Sequence, residues 1–226
     1  MAALSIAPNG PDAVDVIGAS TRPVPHAHFS LFTSDLLRMD RAMPYVISFL
    51  PWVAYAALPS KDWQWAALAG CAIAVALLLK RRAAGRTLDS LIIEFGSAVY
   101  FAALAAVAFH DPDSHWHDYS AAFSSLFLAV IAGFSLLIGK PFTLGIAKQS
   151  TPRETWNTPL FVRANVVITA VWTLAFAAAG TALATMAHAG HAHTTAATAV
   201  QAAGFVLPVL FTVRYVAGVQ TAAAAR

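Results

Sequence analysis

The sequence predicts an all-α, polytopic integral membrane protein: a bundle of six transmembrane helices with both termini in the cytoplasm. Three observations carry that expectation. Of the 226 residues, 58% are apolar and only 11% charged, and the mean hydropathy is +0.64. A soluble globule of this size could not bury so much apolar surface, so lipid has to be its solvent. Six stretches approach the roughly 20 apolar residues that a helix needs to cross hydrocarbon. Finally, the basic residues fall almost entirely on one side of those stretches.

The elements follow in chain order. Residues 1–28 are rich in Ala, Pro and Gly and read as a flexible cytoplasmic tail. Their start lacks a basic n-region and carries Asp12 and Asp15 where a signal peptide needs its apolar core, so no cleaved export signal is expected. Residues 29–41 set Phe29, Phe32, Leu36, Leu37 and Met39 among Arg38, Asp40 and Arg41, an amphipathic segment suited to the lipid interface. Residues 42–217 form the transmembrane domain, with spans at Ala42–Leu58, Trp63–Leu79, Leu88–Phe109, Tyr119–Ile138, Leu160–Ala187 and Thr195–Val216. Residues 218–226 are a short cytoplasmic tail. Continuous Ala/Leu-rich runs without alternation exclude a barrel wall.

The punctuation between spans is helical. Pro59 stops the first and Ser60 caps the second; Gly139 and Pro141 end the fourth; Thr158 and Pro159 open the fifth. Pro51 and Pro208 lie inside spans, where they are expected to introduce kinks. Trp52, Trp63, Trp65, Trp116 and Trp156 fall near span ends and read as interfacial anchors. The third and fourth spans and the fifth and sixth both form a long helix, a polar loop and a helix back, the outline of a parallel repeat.

With the N-terminus inside, thirteen of the fourteen Lys and Arg residues are cytoplasmic and only Lys61 faces out. That bias orients the bundle and accounts for the formal charge of +3 without an acidic partner. The basic run Lys80–Arg86 is explained in the same way, so nucleic acid is not an expected partner. Cys71 is the single cysteine and excludes an intrachain disulfide.

Two external loops hold most of the histidines. "HDPDSHWHDY" supplies His110, His115 and His117 with Asp111, Asp113 and Asp118, and "HAGHAH" supplies His188, His191 and His193. Imidazole with carboxylate is a ligand set for Zn, Ni, Co or Cu, although neither loop has the framed spacing of a zinc motif. A transition metal such as Zn is therefore one reading, and solvated turns with no cofactor are the other.

Inside the membrane the candidate residues are Glu94, Asn165, Arg163 and Arg214. Glu94 lies about 9 Å into the bilayer at about 1.5 Å per residue, with Ser90 and Ser97 on its helix face. An intramembrane carboxylate demands a partner, and Arg163 and Arg214 enter their spans to similar depth from the same side. Either Glu94 is locked in such a pair, or it binds substrate or protons. Asn165, Thr169 and Thr173 give the fifth span one polar face, and Ala121, Ser125, Ala129 and Gly133 give the fourth a narrow one. Both read as packing seams. No nucleophile elbow, phosphate loop, dinucleotide fingerprint or HExxH motif occurs, and the chain is not expected to be an enzyme.

From Ile47 to Tyr215 the chain resembles the intracellular septation protein A family, small multi-pass proteins of the bacterial inner membrane. The resemblance rests on "FLP" (Phe49–Pro51), "KRRAAGR" (Lys80–Arg86), "FHD" (Phe109–Asp111), "KP" (Lys140–Pro141) and Trp156 ahead of Asn165. The N-terminal extension, longer loops and second histidine cluster depart from the family. The resemblance implies septation or envelope maintenance at the inner membrane, without catalysis. Its partners would be the bilayer and other envelope membrane proteins, a homo-oligomer being compatible with this. The competing expectation is a small transporter, or a transporter's substrate-binding subunit, using Glu94 and the external histidines for a transition metal or protons.

Overall fold

The structure, a computed structural model, describes residues 47–58, 62–86, 91–149 and 151–224. Helices account for nearly all of it: α1 Leu50–Ala57, α2 Trp63–Ala83, α3 Ile92–His110, α4 Ser120–Leu137, α5 Phe142–Ala147, α6 Pro159–His188 and α7 Thr195–Ala224. Short 3-10 turns at His115–Tyr119 and Arg153–Thr155 precede α4 and α6, and no strand occurs among the described residues.

Five helical segments are long and apolar enough to cross a membrane: Trp63–Ala83, Ile92–His110, His115–Leu137, Pro159–His188 and Thr195–Ala222. Their outward faces carry large apolar side chains, with Leu137 87%, Leu174 70% and Val130 64% exposed. In water such faces would be strongly unfavourable; against lipid they are solvated. Of the first expected span, α1 supplies Leu50–Ala57, while residues 42–46 lie outside the described residues, as do the expected tail and amphipathic segment at 1–28 and 29–41. The last helix continues past Val216 to Ala224.

Several local expectations change. Pro51 does not kink a helix; it lies in the first turn of α1 behind Phe49, where a missing N–H breaks no ladder bond. Trp52 and Trp63 are not interfacial anchors, being 3% and 2% exposed. Each indole N–H has an acceptor within the protein instead: Trp52 donates to the buried Ser97 Oγ (2.8 Å) and Trp63 to the Pro112 carbonyl (2.8 Å). Trp65 and Trp116 do face outward. The connection after the fourth span contains a helix, α5, with Phe142, Thr143, Gly145 and Ile146 buried.

Packing divides the bundle into two groups. The most extensive contact is α4 with α6, followed by α2 with α3 and α6 with α7; α3 and α4 touch far less. The two hairpins of the expected repeat are therefore packed differently. The groups meet around α1, whose Phe49, Trp52 and Tyr55 form a buried stripe at three-residue spacing. Phe49 stacks on Trp172 of α6 with ring centroids 4.8 Å apart and meets Phe142, Phe176 and Phe205, while Trp52 packs on Tyr100 and Phe101 of α3. Trp172 also donates to Thr212 Oγ1 of α7 at 3.0 Å.

Trp172→Ala should destabilise the bundle by about 3–5 kcal/mol. Trp172→Phe should cost less, because it keeps a ring against Phe49 and leaves Thr212 bonded to the Pro208 carbonyl. Thermal unfolding in detergent checks the order; equal losses would mean that the indole hydrogen bond outweighs the stack.

Candidate functional site

The α2–α3 hairpin sets the geometry around Glu94. Arg81 lies two residues from the end of α2 and Glu94 two residues from the start of α3, so antiparallel packing brings them to one level. Arg81 Nη1 and Glu94 Oε1 form an ion pair, with the side chains 12% and 1% exposed. Ser48, just ahead of α1, donates to the same carboxylate oxygen at 2.9 Å and accepts from Arg81 Nη1 at 3.0 Å. One turn further along α3, Ser97 accepts from Trp52 and donates to the Ile93 carbonyl. Glu94 Oε2 has no hydrogen-bond partner among the described residues.

The cation expected from Arg163 or Arg214 is therefore Arg81. Both other arginines are exposed, and α3 has α2 as its principal neighbour. Arg81 belongs to a basic run that orientation alone seemed to explain, which concealed its second role. Arg81 lies near a helix end, a position from which a long cationic side chain can reach a carboxylate while staying close to the polar boundary.

Asn165 is 3% exposed on the inner face of α6. Its Nδ2 donates to the Phe161 carbonyl at 2.9 Å, and its Oδ1 has no partner among the described residues. Thr143 of α5 donates to the Asn165 carbonyl at 3.0 Å and shares a 2.7 Å bond with Thr169 Oγ1. The polar face read on the fifth span thus docks the short α5.

At the opposite end of α2 the histidine loops meet. Trp63 holds the first loop through the Pro112 carbonyl and packs its ring against His117. His117 stacks on His193 with centroids 5.0 Å apart, and His193 Nε2 lies 2.9 Å from Asp118 Oδ1. His117, Asp118 and His193 each offer a ligand atom, all within 4.8 Å of one another. The remaining histidines do not join them: His110 closes α3, His115 packs beside Trp116, and His188 and His191 are exposed around the α6–α7 turn. The His193–Asp118 contact is half-exposed, so as an ion pair it contributes little, about 0–1 kcal/mol.

Comparison with known proteins adds no relative: no family model, no curated protein and no solved structure matches the chain.

Arg81→Ala and Glu94→Ala should each cost about 3–5 kcal/mol, because each leaves the other charge buried without its counter-ion. The double variant should cost clearly less than their sum. Unfolding of all four proteins in one detergent closes the cycle; simple additivity would mean that the pair is not coupled.

Proposed function

We propose that this chain is a non-enzymatic protein of the bacterial inner membrane, of the septation or envelope-maintenance type, acting through helix contacts with other membrane proteins. The observation that carries the reading is the enclosure of Glu94. A carboxylate that cycles protons or cargo needs access and a changeable charge state. Glu94 is 1% exposed and held by Arg81 and Ser48, an arrangement that favours a permanently charged structural group. Two clefts of the molecule lie elsewhere, and neither includes Glu94. The broad apolar outer faces, with Leu137, Leu174 and Leu207 among the most exposed side chains, supply surface for lipid or a neighbouring helix.

In this reading the basic end of the bundle, with Arg86 and Lys140, is cytoplasmic and the histidine loops are external. Reporter fusions at Ala84, Gln149 and the C-terminus should give cytoplasmic signals, and fusions at Ser114 and Gly190 external ones. The functional test is rescue. Cells lacking the protein should show an altered septation or envelope phenotype that Glu94→Gln restores whenever the variant folds, since an amide keeps the volume and can still accept from Arg81. A folded Glu94→Gln protein that fails to rescue and abolishes a measurable flux would replace this reading with a transporter.

One observation favours a second reading, metal handling by a transporter or its binding subunit: the convergence of His117, Asp118 and His193 from two loops. Two imidazoles and a carboxylate at about 2.0–2.2 Å would suit zinc, with water completing a tetrahedron. The exposed loops would lose conformational entropy on closing round an ion, so zinc binding is expected to be micromolar or weaker. Titration calorimetry separates the readings. Submicromolar, stoichiometric zinc binding lost in His117→Ala and His193→Ala, but retained in His110→Ala and His188→Ala, would put metal handling first.

A further inference from the structure

At the end of α3 opposite Glu94 lies a cleft of ≈ 420 Å³. Ala106, Val107, His110 and Asp111 line it from the last turns of α3 and its cap, and Ser114 and Trp116 from the loop that leads into α4.

Backbone bonds fix this loop. Asp111 N closes the end of α3 on the Val107 carbonyl at 3.0 Å, Ser114 N turns back to the Asp111 carbonyl at 3.2 Å, and His117 N to the Ser114 carbonyl at 3.0 Å. From α2 the Trp63 indole holds the Pro112 carbonyl. Trp116 is braced as well: its ring stacks on Phe123 of α4 with centroids 5.5 Å apart and lies 5.8 Å from that of His115. Trp116 nevertheless stays 53% exposed. A carboxylate and an aromatic ring are thus held at one cleft in advance, so little ordering of the loop would be charged against a ligand.

The lining is graded from polar to apolar. Exposed Asp111 offers a carboxylate and Trp116 a π face, and both attract a cation. His110 and Ser114 carry N–H and O–H groups that can donate to a phosphate oxygen. Ala106 and Val107 begin an apolar stretch, which the exposed face of α3 continues through Ala103 and Val99 at helical spacing. The small side chains at 103 and 106 leave a shallow trough there, running from the cleft along a span that faces lipid. Cation site, phosphate donors and apolar trough follow one another in the order of the parts of a phospholipid. A free amine would use only the first of them, and an anionic headgroup would be set against the Asp111 carboxylate.

We propose that this cleft seats the headgroup of a phospholipid that carries a primary ammonium, with the ammonium against Asp111 and Trp116 and an acyl chain along α3. The site uses neither Glu94 nor the cluster of His117, Asp118 and His193, and it is independent of the functional reading above. It requires only that this end of α3 meets a headgroup layer, on either face of the membrane.

The test uses the full chain purified in a non-ionic detergent, with binding of phosphatidylethanolamine, phosphatidylcholine and phosphatidylglycerol measured by native mass spectrometry. Phosphatidylcholine keeps the phosphate and the positive charge but has no N–H to donate to Asp111; phosphatidylglycerol has no ammonium. Tighter binding of phosphatidylethanolamine than of both others supports the proposal. Asp111→Asn and Trp116→Ala should each weaken phosphatidylethanolamine binding about fivefold. Asp113→Asn removes the same charge from the same loop without lining the cleft and should leave the affinity unchanged. Phosphatidylethanolamine bound no more tightly than either comparison lipid overturns the proposal, as does an equal loss in Asp113→Asn. If Trp116→Ala fails to fold, Asp111→Asn and the wild-type order of lipids still decide.

Discussion

A carboxylate surrounded by helices in an apolar bundle has to find a cation, because the cost of burying it alone is several kcal/mol. That requirement organises the first half of the molecule. With Arg81 near the end of α2 and Glu94 near the start of α3, the pair fixes how far one helix slides along the other. Ser48 ties the lead-in of α1 to the same oxygen, and the Trp52–Ser97 bond repeats the tie one turn further on. From there the constraint passes to the second half through aromatic packing. Phe49 is fixed on the side of α1 that faces α6, where it meets Trp172, Phe176 and Phe142. A polar interaction at one place thus sets the register for a larger apolar one.

The two polar ends of the bundle use their side chains differently. At the histidine end, a carboxylate and stackable rings come together: His193 meets Asp118 and stacks on His117. At the basic end Arg86, Lys140, Lys148 and Arg153 are the cations among the described residues of one cleft, and backbone turns place Arg86 and Lys140.

Much of the architecture was legible in the sequence because membrane crossing is a one-dimensional property. Length and hydropathy locate Trp63–Ala83 or Pro159–His188 without knowledge of their neighbours. Residues that depend on neighbours were less legible. Glu94 stood out as a carboxylate in an apolar run, but its partner depended on which helices pack, and Arg81 was hidden in a run of basic residues with an adequate explanation of its own. Trp52 and Trp63 have the composition of interfacial residues, and only the acceptors facing them show that they are core. The short α5 has six residues, too few for a periodic signal, and the Thr143–Thr169 bond that docks it depends on how the helices pack. Of six loop histidines, position along the chain could not select His117 and His193, because their meeting depends on how α4 and α6 pack.

Pro208 gives the last helix a mechanical property that the others lack. It lies buried within α7, where a residue without an N–H cannot close the backbone bond to residue 204. The Thr212 hydroxyl returns to the Pro208 carbonyl at 2.7 Å, and the Trp172 indole grips that same hydroxyl from α6. The helix is thus least stiff where its grip on the bundle is most specific. A bending force applied at its far end would be taken up as rotation about this point, with Trp172 as the fulcrum. The N-terminal half of α7 would stay seated against α6 while the remainder swings as a lever arm.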